Sequence, residues 1–240
     1  MRQGILQTAL CRAHRFLFHH GGFGVHSPFA YHLITRVIGE RRGYYAYDDL
    51  ELIRKQLAQG EAGWHRDLTA KEEKLLFRLA NFIGARQIVQ LGATDGLASL
   101  YLTYHSREAR CLVVEPDPER ARMATRIYGR WGRGAIELRA GDYHHQTDRV
   151  LSEMSKIDLL VVDPTNAATE AQLMLGIALR HHFHDRSLIV VEHLRDNIKN
   201  EFFWEWLIQQ QEPTVTIDLC SIGIVVFNSK LYKRHYKIYF

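Results

Sequence analysis

The sequence predicts an α/β fold with a Rossmann-like, doubly wound and mostly parallel sheet of seven strands. From residue 87 onward, strand-like apolar runs alternate with helical patterns, and only short loops connect them. Near the C-terminus, the apolar runs 214–220 and 223–228 are separated only by Ser221 and Ile222. Because a parallel crossover needs about a dozen residues, these two strands form an antiparallel hairpin that completes the sheet.

The elements before the hairpin follow one another as strand–helix units. The strand-like runs are rich in Val, Ile and Leu, which is typical of parallel strands that are covered on both faces. They span residues 87–92, 110–116, 135–142, 156–164 and 186–193. The helical patterns cover residues 69–85, 96–106, 117–131, 144–154, 168–183 and 197–211. Asp117 followed by Pro118 marks a helix start, because Asp caps the first turn and Pro is tolerated there.

Residues 1–66 lack this alternation and are predicted to form an N-terminal helical extension, while residues 67–240 form the second domain. Helices near 3–18, 26–40 and 48–60 are joined by a segment rich in glycine and aromatic residues. In this segment His26 is a candidate general base. The simpler interpretation, which we prefer, is that Ser27 caps a helix beginning at Pro28 and that His26 holds the turn.

The composition is that of a globular protein with little net charge. The chain has 240 residues, 46% of them hydrophobic and 24% charged, and a formal net charge of +4. No apolar run approaches the roughly 18 residues of a membrane span. Its cysteines, Cys11, Cys111 and Cys220, are odd in number and lack CxxC spacing, which predicts free thiols in a reducing cytoplasm.

The loop after the first strand, Gly92-Ala93-Thr94-Asp95-Gly96, is the candidate ligand site, because ligands of open α/β sheets bind beyond the carboxyl ends of the strands. A dinucleotide fingerprint would need glycines in place of Thr94 and Leu97. Asp95 also adds negative charge where a pyrophosphate would bind. No GxxxxGK[ST] loop occurs either. The sequence therefore argues against NAD, FAD and P-loop nucleotides.

The stretch VQLGATDGLAS resembles the first motif of class I S-adenosylmethionine-dependent methyltransferases: an acidic residue, GxxxG, and a small residue that opens the helix. Further family positions follow in order over about residues 70–228. The resemblance implies Glu115 on the ribose hydroxyls, Asp142 on the adenine amino group and Asp163 beside the methyl group. The candidate cofactor residues are Gln90, Gly92, Ala93, Thr94, Asp95, Gly96, Ser99, Glu115, Pro116, Asp142, Tyr143 and Asp163. The candidate catalytic residues are Asp163 and His26.

One position departs from the family pattern and leaves a second interpretation open. The family carries an acidic residue where this chain has Gln90, whose amide carbonyl accepts a hydrogen bond without charge assistance. The contact to the cofactor ammonium group is then weaker by about 1 kcal/mol. Asp95 is a candidate to restore the missing charge. The alternative to an enzyme is a degenerate methyltransferase fold that serves as a binding module, and we prefer the enzyme.

The resemblance says less about metals and acceptors. Catechol-type members hold a metal with carboxylates after the fourth and fifth strands, where Asp163 and Glu192 are weak candidates. Carboxylates also cap helices, and no metal is predicted. Asp163-Pro164-Thr165-Asn166 departs from the Asp-Pro-Pro-aromatic signature of base-methylating enzymes, so a nucleic-acid partner is disfavoured. The expected partner is a small-molecule O or N acceptor, and the oligomeric state is not predicted.

The segments FGVHSPFAYHLI (23–34) and IDLCSIGIVVFNSK (217–230) also resemble a bacterial branch of these methyltransferases. That resemblance implies no substrate. The basic and aromatic C-terminal segment, KLYKRHYKIYF, is predicted as an edge strand with a solvated lysine face.

Overall fold

The computed structural model describes most of the chain and divides it into two compact units. The described residues are 8–11, 13–16, 25, 27–60, 63–64, 66–93, 95–132, 135–165, 172, 175–176 and 181–240. One unit comprises Arg41–Glu153, and the other comprises Met1–Glu40 with Met154–Phe240. The boundary near residue 66 between the extension and the second domain stays a prediction.

Seven α-helices and eight strands have both of their ends within the described residues. In chain order they are α1 (Pro28–His32), followed by a π-helical segment (Leu33–Ile38), α2 (Tyr45–Gly60), α3 (Ala70–Ile83), β1 (Gln87–Leu91), α4 (Leu97–Thr103), β2 (Arg110–Glu115), α5 (Pro118–Trp131), β3 (Ala135–Ala140), α6 (Tyr143–Glu153), β4 (Leu159–Val162), β5 (Leu188–Val191), α7 (Ile198–Gln209), β6 (Val215–Asp218), β7 (Gly223–Val226) and β8 (Arg234–Lys237). Residues 8–11 and 13–16 are also helical.

The unit Arg41–Glu153 is built on three parallel strands in the order β3-β2-β1. Leu91 pairs with Val114, and Glu115 pairs with Ala140. Because neighbouring strands end nearly level, the loops that follow β1, β2 and β3 start from one edge of this sheet. The candidate cofactor residues other than Asp163 and Thr94 lie at these strand ends, in the loops or in the helices that follow, with Ser99 in α4 and Tyr143 at the start of α6.

Local sequence signals explain where α3 begins and ends. The Thr69 hydroxyl accepts a hydrogen bond from the Glu72 backbone N–H, and the Glu72 carboxylate accepts one from the Thr69 backbone N–H. This reciprocal capping box satisfies donors that a helix start otherwise leaves unpaired. Gly84, with a φ of 62°, ends the helix in the left-handed conformation that glycine adopts easily. The helix predicted over 69–85 is thereby confirmed.

The second unit contains the remaining strands in the order β4-β5-β7-β6-β8. Strands β4 and β5 are parallel, whereas β7 is antiparallel to both β5 and β6. The predicted hairpin is thus confirmed. The C-terminal segment, predicted as an edge strand, pairs in parallel with β6 and makes the count eight rather than seven. The predicted edge strand is confirmed, and its side chains are mostly exposed.

The cysteines correct one prediction. Cys11 and Cys220 form a disulfide across 209 residues of sequence, whereas Cys111 is a buried free thiol. The prediction of free thiols was wrong for this pair, because no spacing rule relates residues that only the fold brings together. None of the described helices is long and apolar enough to cross a membrane.

A buried ion pair lies close to this disulfide. The Asp218 carboxylate bonds Arg15 at 2.8 Å and Arg195 at 2.7 Å, and it accepts a hydrogen bond from the Cys220 backbone N–H at 2.8 Å. Burial opposes the charged carboxylate, but the two guanidinium groups outweigh it and lower the pKa of Asp218 to about 2. Residues 8–11 and 13–16 are therefore fixed to the hairpin by a covalent bond and by charge.

Candidate functional site

The glycine loop after β1 depends on backbone conformations that favour glycine. Gly92 has a φ of 96° and Gly96 a φ of 79°, both in the left-handed region. A Cβ atom on Gly96 would lie 2.9 Å from the Ile127 Cδ1 atom and 3.4 Å from the Ala124 Cα atom. A side chain at position 96 would therefore adopt a strained φ and would also displace the end of the Ile127 side chain.

The substitution Gly96→Ala is expected to lower the free energy of unfolding by about 1–3 kcal/mol, because it adds steric overlap to a strained φ. Urea unfolding measures the change. Gly129→Ala is the matched control, since a Cβ at Gly129, within α5, meets nothing within 4 Å. Its expected effect is neutral or stabilising by up to about 1 kcal/mol. Equal stability of the Gly96→Ala variant and the unmodified protein would contradict this account of the loop.

Glu115 connects the end of β2 to the glycine loop. Its side chain is buried; Oε2 accepts a hydrogen bond from the Ala93 backbone N–H at 2.7 Å and Oε1 accepts one from the Asp117 backbone N–H at 2.9 Å. Burial raises the pKa of Glu115, and the two backbone donors act in the opposite direction. Because a carboxylate offers about four acceptor positions, both oxygens keep acceptor capacity for ligand hydroxyl groups.

Gln90, which departs from the family pattern, is part of a neutral internal network. It is fully buried, and its Oε1 atom accepts a hydrogen bond from the Ser99 hydroxyl at 2.6 Å. The Ser99 hydroxyl also hydrogen-bonds the Tyr128 hydroxyl at 2.6 Å. Among the described residues, no hydrogen-bond partner reaches Gln90 Nε2. The amide carbonyl therefore binds Ser99 inside the fold, and Gln90 supplies no negative charge.

Asp95 lies at the end of the same loop that leads into α4, and its hydrogen bonds hold that end in place. Its Oδ1 atom accepts from the Leu97 backbone N–H at 2.9 Å, and Oδ2 accepts from the Asp67 backbone N–H at 3.3 Å. The backbone oxygen of Asp95 accepts a hydrogen bond from the Trp64 indole N–H at 3.0 Å. Burial raises the pKa of Asp95 to about 6, although the backbone donors oppose the shift. Asp95 thus binds the first backbone N–H of α4, and its carboxyl group takes up a proton near pH 6.

The candidates that follow β2 and β3 differ in burial. Pro116 is half-buried and Tyr143 is buried, whereas the Asp142 side chain is 60% exposed. Asp142 accepts hydrogen bonds from the His145 backbone N–H at 3.3 Å and contacts its Nδ1 atom at 2.5 Å. An exposed carboxylate beside a buried aromatic ring can meet a heterocycle with a polar edge and an apolar face.

The other unit carries the acidic candidates after β4 and β5. Asp163 is 8% exposed, and its Oδ1 atom accepts hydrogen bonds from the Thr165 backbone N–H at 3.0 Å and from its hydroxyl at 2.6 Å. Glu192, directly after β5, is fully buried. Among the residues that the structure describes, no group of three or more His, Cys, Asp or Glu side chains has an arrangement that could hold a metal ion.

Sequence reasoning missed His193, which stands among these acids. It has a left-handed backbone φ of 55°, and its Nδ1 atom lies 3.1 Å from Asp196 Oδ2. Burial disfavours the charged imidazole, but Asp196, Asp163 and Glu192 outweigh it and raise the pKa of His193 to about 10. The sequence offered one signal for it: His193 directly follows the acidic Glu192 at the end of a strand-like run. His193 therefore supplies a positive charge to the acidic strand ends of this unit.

Two predicted site residues, Thr94 and His26, lie outside the described residues. The remaining candidates divide by unit. The unit Arg41–Glu153 holds Gln90, Gly92, Ala93, Asp95, Gly96, Ser99, Glu115, Pro116, Asp142 and Tyr143, and the other unit holds Asp163 and Glu192.

Comparison with solved structures gives three instructive matches. An O-methyltransferase from Bacillus cereus, in complex with SAH, is 18% identical over 80% of this chain and 95% of its own, with a TM-score of 0.60. The O-methyltransferase TomG from Streptomyces achromogenes, in complex with SAM, is 16% identical over 78% of this chain and 92% of its own, with a TM-score of 0.57. An SAH-bound methyltransferase from Podospora anserina is 12% identical over 84% and 96%, with a TM-score of 0.57.

The chain has the class I methyltransferase fold. This confirms the fold class predicted from the alternation of strands and helices and from the terminal hairpin. No protein-family model and no curated protein matches the sequence. At identities of 12–18%, the likeness shows the fold alone.

Proposed function

We propose that the protein is an S-adenosylmethionine-dependent methyltransferase whose cofactor lies on the glycine loop of the unit Arg41–Glu153. The observation that carries the proposal is the buried Glu115 carboxylate at the end of β2, held beside the loop by the Ala93 and Asp117 N–H groups. A carboxylate in this position, with acceptor capacity remaining, suits the paired hydroxyls of a ribose.

The charge around the loop supports a cofactor without phosphate. Asp95 and Glu115 are buried acids beside the loop, and Gly92 and Gly96 let a ligand approach the backbone closely. Such a loop repels a pyrophosphate but suits a ligand with a sulfonium and an ammonium group. In this arrangement Asp142 and Tyr143 would hold the adenine.

S-adenosylmethionine supplies an electrophilic methyl group, so the contribution of the protein is mainly to hold the two reactants in line. The rigid parts for this are the glycine loop, capped by Asp95, and the Glu115 carboxylate. A general base is needed only where the acceptor must lose a proton. Asp163, fixed by Thr165, and His26 remain the candidates for that step.

The acceptor we propose is a small molecule that is methylated on oxygen or nitrogen. Two of the three solved structures are O-methyltransferases, which supports oxygen. A nucleic-acid acceptor stays disfavoured because the net charge is only +4 and because the motif at Asp163 departs from the base-methylating signature.

A cytoplasmic location also stays a proposal. The Cys11–Cys220 disulfide removes the cysteine pattern as support for it, because such bonds are rare in a reducing compartment.

Isothermal titration calorimetry with S-adenosylmethionine, S-adenosylhomocysteine and NAD tests the proposal. We expect micromolar Kd values for the first two and no binding of NAD. The alternative is a binding module that has lost the cofactor. It is supported by Gln90, which supplies no charge and whose carbonyl accepts a hydrogen bond from Ser99. Absence of binding by all three ligands would overturn the enzyme and favour that alternative.

A further inference from the structure

Glu73, on α3, is a buried carboxyl that no predicted motif explains. We propose that Glu73 is a positioning residue of the glycine loop, and that it gives up a proton when a cationic ligand binds there. This inference rests on the proposed function, since it concerns the cofactor that we place on the loop. It is carried by a chain of contacts from Glu73 to Asp95 and by unsatisfied polar atoms around Glu73.

The contacts run through a short segment that we call the strap, defined as the described residues 63–64 and 66–67. Arg66 of the strap donates from Nη2 to Glu73 Oε2 at 2.9 Å. Two neighbours in the strap, Trp64 and Asp67, donate to the Asp95 backbone oxygen and Oδ2 atom at 3.0 and 3.3 Å. Asp95 in turn accepts from the Leu97 backbone N–H. Glu73 therefore anchors the strap that holds the glycine loop.

Several buried polar atoms around Glu73 lack a hydrogen-bond partner among the described residues. Glu73 and Tyr101 are both fully buried. Among the described residues, no hydrogen-bond partner reaches Glu73 Oε1, Tyr101 Oη or Arg66 Nε. A buried carboxylate oxygen without a donor is costly, whereas the protonated carboxyl is tolerated more easily. The protonated form is therefore favoured while the loop is free.

Charged and titratable groups on several of the described elements face Glu73. These groups are Arg54 on α2, Arg66 on the strap, Asp95 on the loop and Tyr101 on α4, while Glu51 on α2 is paired with Arg54. Burial and the negative charge of Asp95 outweigh the two arginines and raise the pKa of Glu73 to about 8. Near neutral pH, most Glu73 side chains then carry a proton.

A cation on the loop shifts this balance. Its positive charge stabilises the ionised forms of Asp95 and Glu73 relative to the protonated forms. On binding, the O–H bond of the Glu73 carboxyl breaks and the proton passes to the buffer. The carboxylate that results keeps the hydrogen bond from Arg66. By linkage, affinity for the cation rises with pH up to about 8 and levels off above it. Each unit of pKa change on binding corresponds to about a tenfold change in Kd over that range.

The substitution Glu73→Gln tests the inference, because the amide keeps an acceptor for Arg66 but cannot ionise. Wild-type and variant proteins are titrated with S-adenosylmethionine from about pH 6.5 to 8, in two buffers of different ionisation enthalpy. We expect wild-type protein to release up to about one proton near pH 7 and to bind about 3–10-fold more tightly at the upper pH. The variant should show a smaller release and a flatter profile. Protons that the cofactor itself releases are counted in both proteins, so the difference in proton release between the two proteins reports on Glu73.

The matched control is Glu108→Gln, which changes a carboxyl to an amide at a side chain that is 68% exposed and paired with Arg86. It should reproduce the wild-type profile. A second measurement, on wild-type protein alone, follows the infrared band of protonated carboxyl groups, which should weaken when S-adenosylmethionine binds. S-adenosylhomocysteine, whose sulfur is neutral, should weaken it less.

The outcomes of these experiments separate the role of Glu73 from the proposed function. Equal proton release and equal pH profiles in wild-type and Glu73→Gln proteins would overturn the role of Glu73 and leave the proposed function intact. An unchanged infrared band in wild-type protein that binds S-adenosylmethionine would do the same, even if the variant fails to fold. Lack of any binding to wild-type protein would overturn the proposed function and the inference together.

Discussion

Replacing Glu115 by alanine is expected to weaken the binding of S-adenosylmethionine by at least about 100-fold, to the limit of calorimetric detection. Two hydrogen bonds from ribose hydroxyls to a carboxylate contribute about 3 kcal/mol or more together, because charge-assisted bonds are the stronger kind. The variant also removes the acceptor that holds the Ala93 N–H at 2.7 Å, so the glycine loop loses a fixed contact.

Two further variants separate these contributions. Glu115→Gln retains the shape and one carbonyl acceptor, and it should weaken binding by only about tenfold, since charge assistance is lost. Glu119→Gln is the matched control: this side chain is 82% exposed in the first turn of α5, and binding should not change. Thermal unfolding shows whether each variant is folded. Unchanged affinity in folded Glu115→Ala protein would mean that the ribose does not bind at the end of β2.

The second large effect concerns the disulfide between Cys11 and Cys220. The substitution Cys11→Ser is expected to lower the free energy of unfolding by about 3–5 kcal/mol under oxidising conditions. A cross-link over 209 residues removes much conformational freedom from the unfolded chain. Urea unfolding with and without dithiothreitol measures the difference, and the reductant should bring wild-type protein to the stability of the variant.

The reduced state is the internal control for this prediction. Wild-type and Cys11→Ser proteins should unfold together in dithiothreitol, since Arg15 and Asp218 remain paired in both. Peptide mapping without reductant should recover a fragment that links Cys11 to Cys220, with Cys111 as the free thiol. Equal stability of the two proteins without reductant would show that the bond does not stabilise the native state.

Some site features could be predicted because they depend on near neighbours in the sequence. Glu115 ends an apolar run about 20 residues past the glycine loop, and Gly92 and Gly96 bracket a strand-to-helix turn. In the structure both glycines have positive φ, and Glu115 is hydrogen-bonded to the loop. Strand ends and tight turns are local, and the parallel register then aligns the strand ends at one edge.

Other features had no local signal. The strap that holds Asp95, the bond from Ser99 to Gln90, and the charge on His193 each depend on where side chains meet after packing. A pKa is decided by burial and by neighbours from several elements, so the sequence showed only acids and a histidine. The prediction of free thiols was wrong for Cys11 and Cys220 for the same reason.

The sequence by itself determined the α/β class, the terminal hairpin, the capped start of α5 at Asp117 and the glycine loop, because periodicity, capping residues and loop length act over a few residues. Only the tertiary structure decided the pairing of β8 with β6, the disulfide, the contacts that join Glu73 to the glycine loop through the strap, and the acidic neighbours of His193. These depend on contacts between residues far apart in the chain, which burial and packing select and which no local pattern encodes.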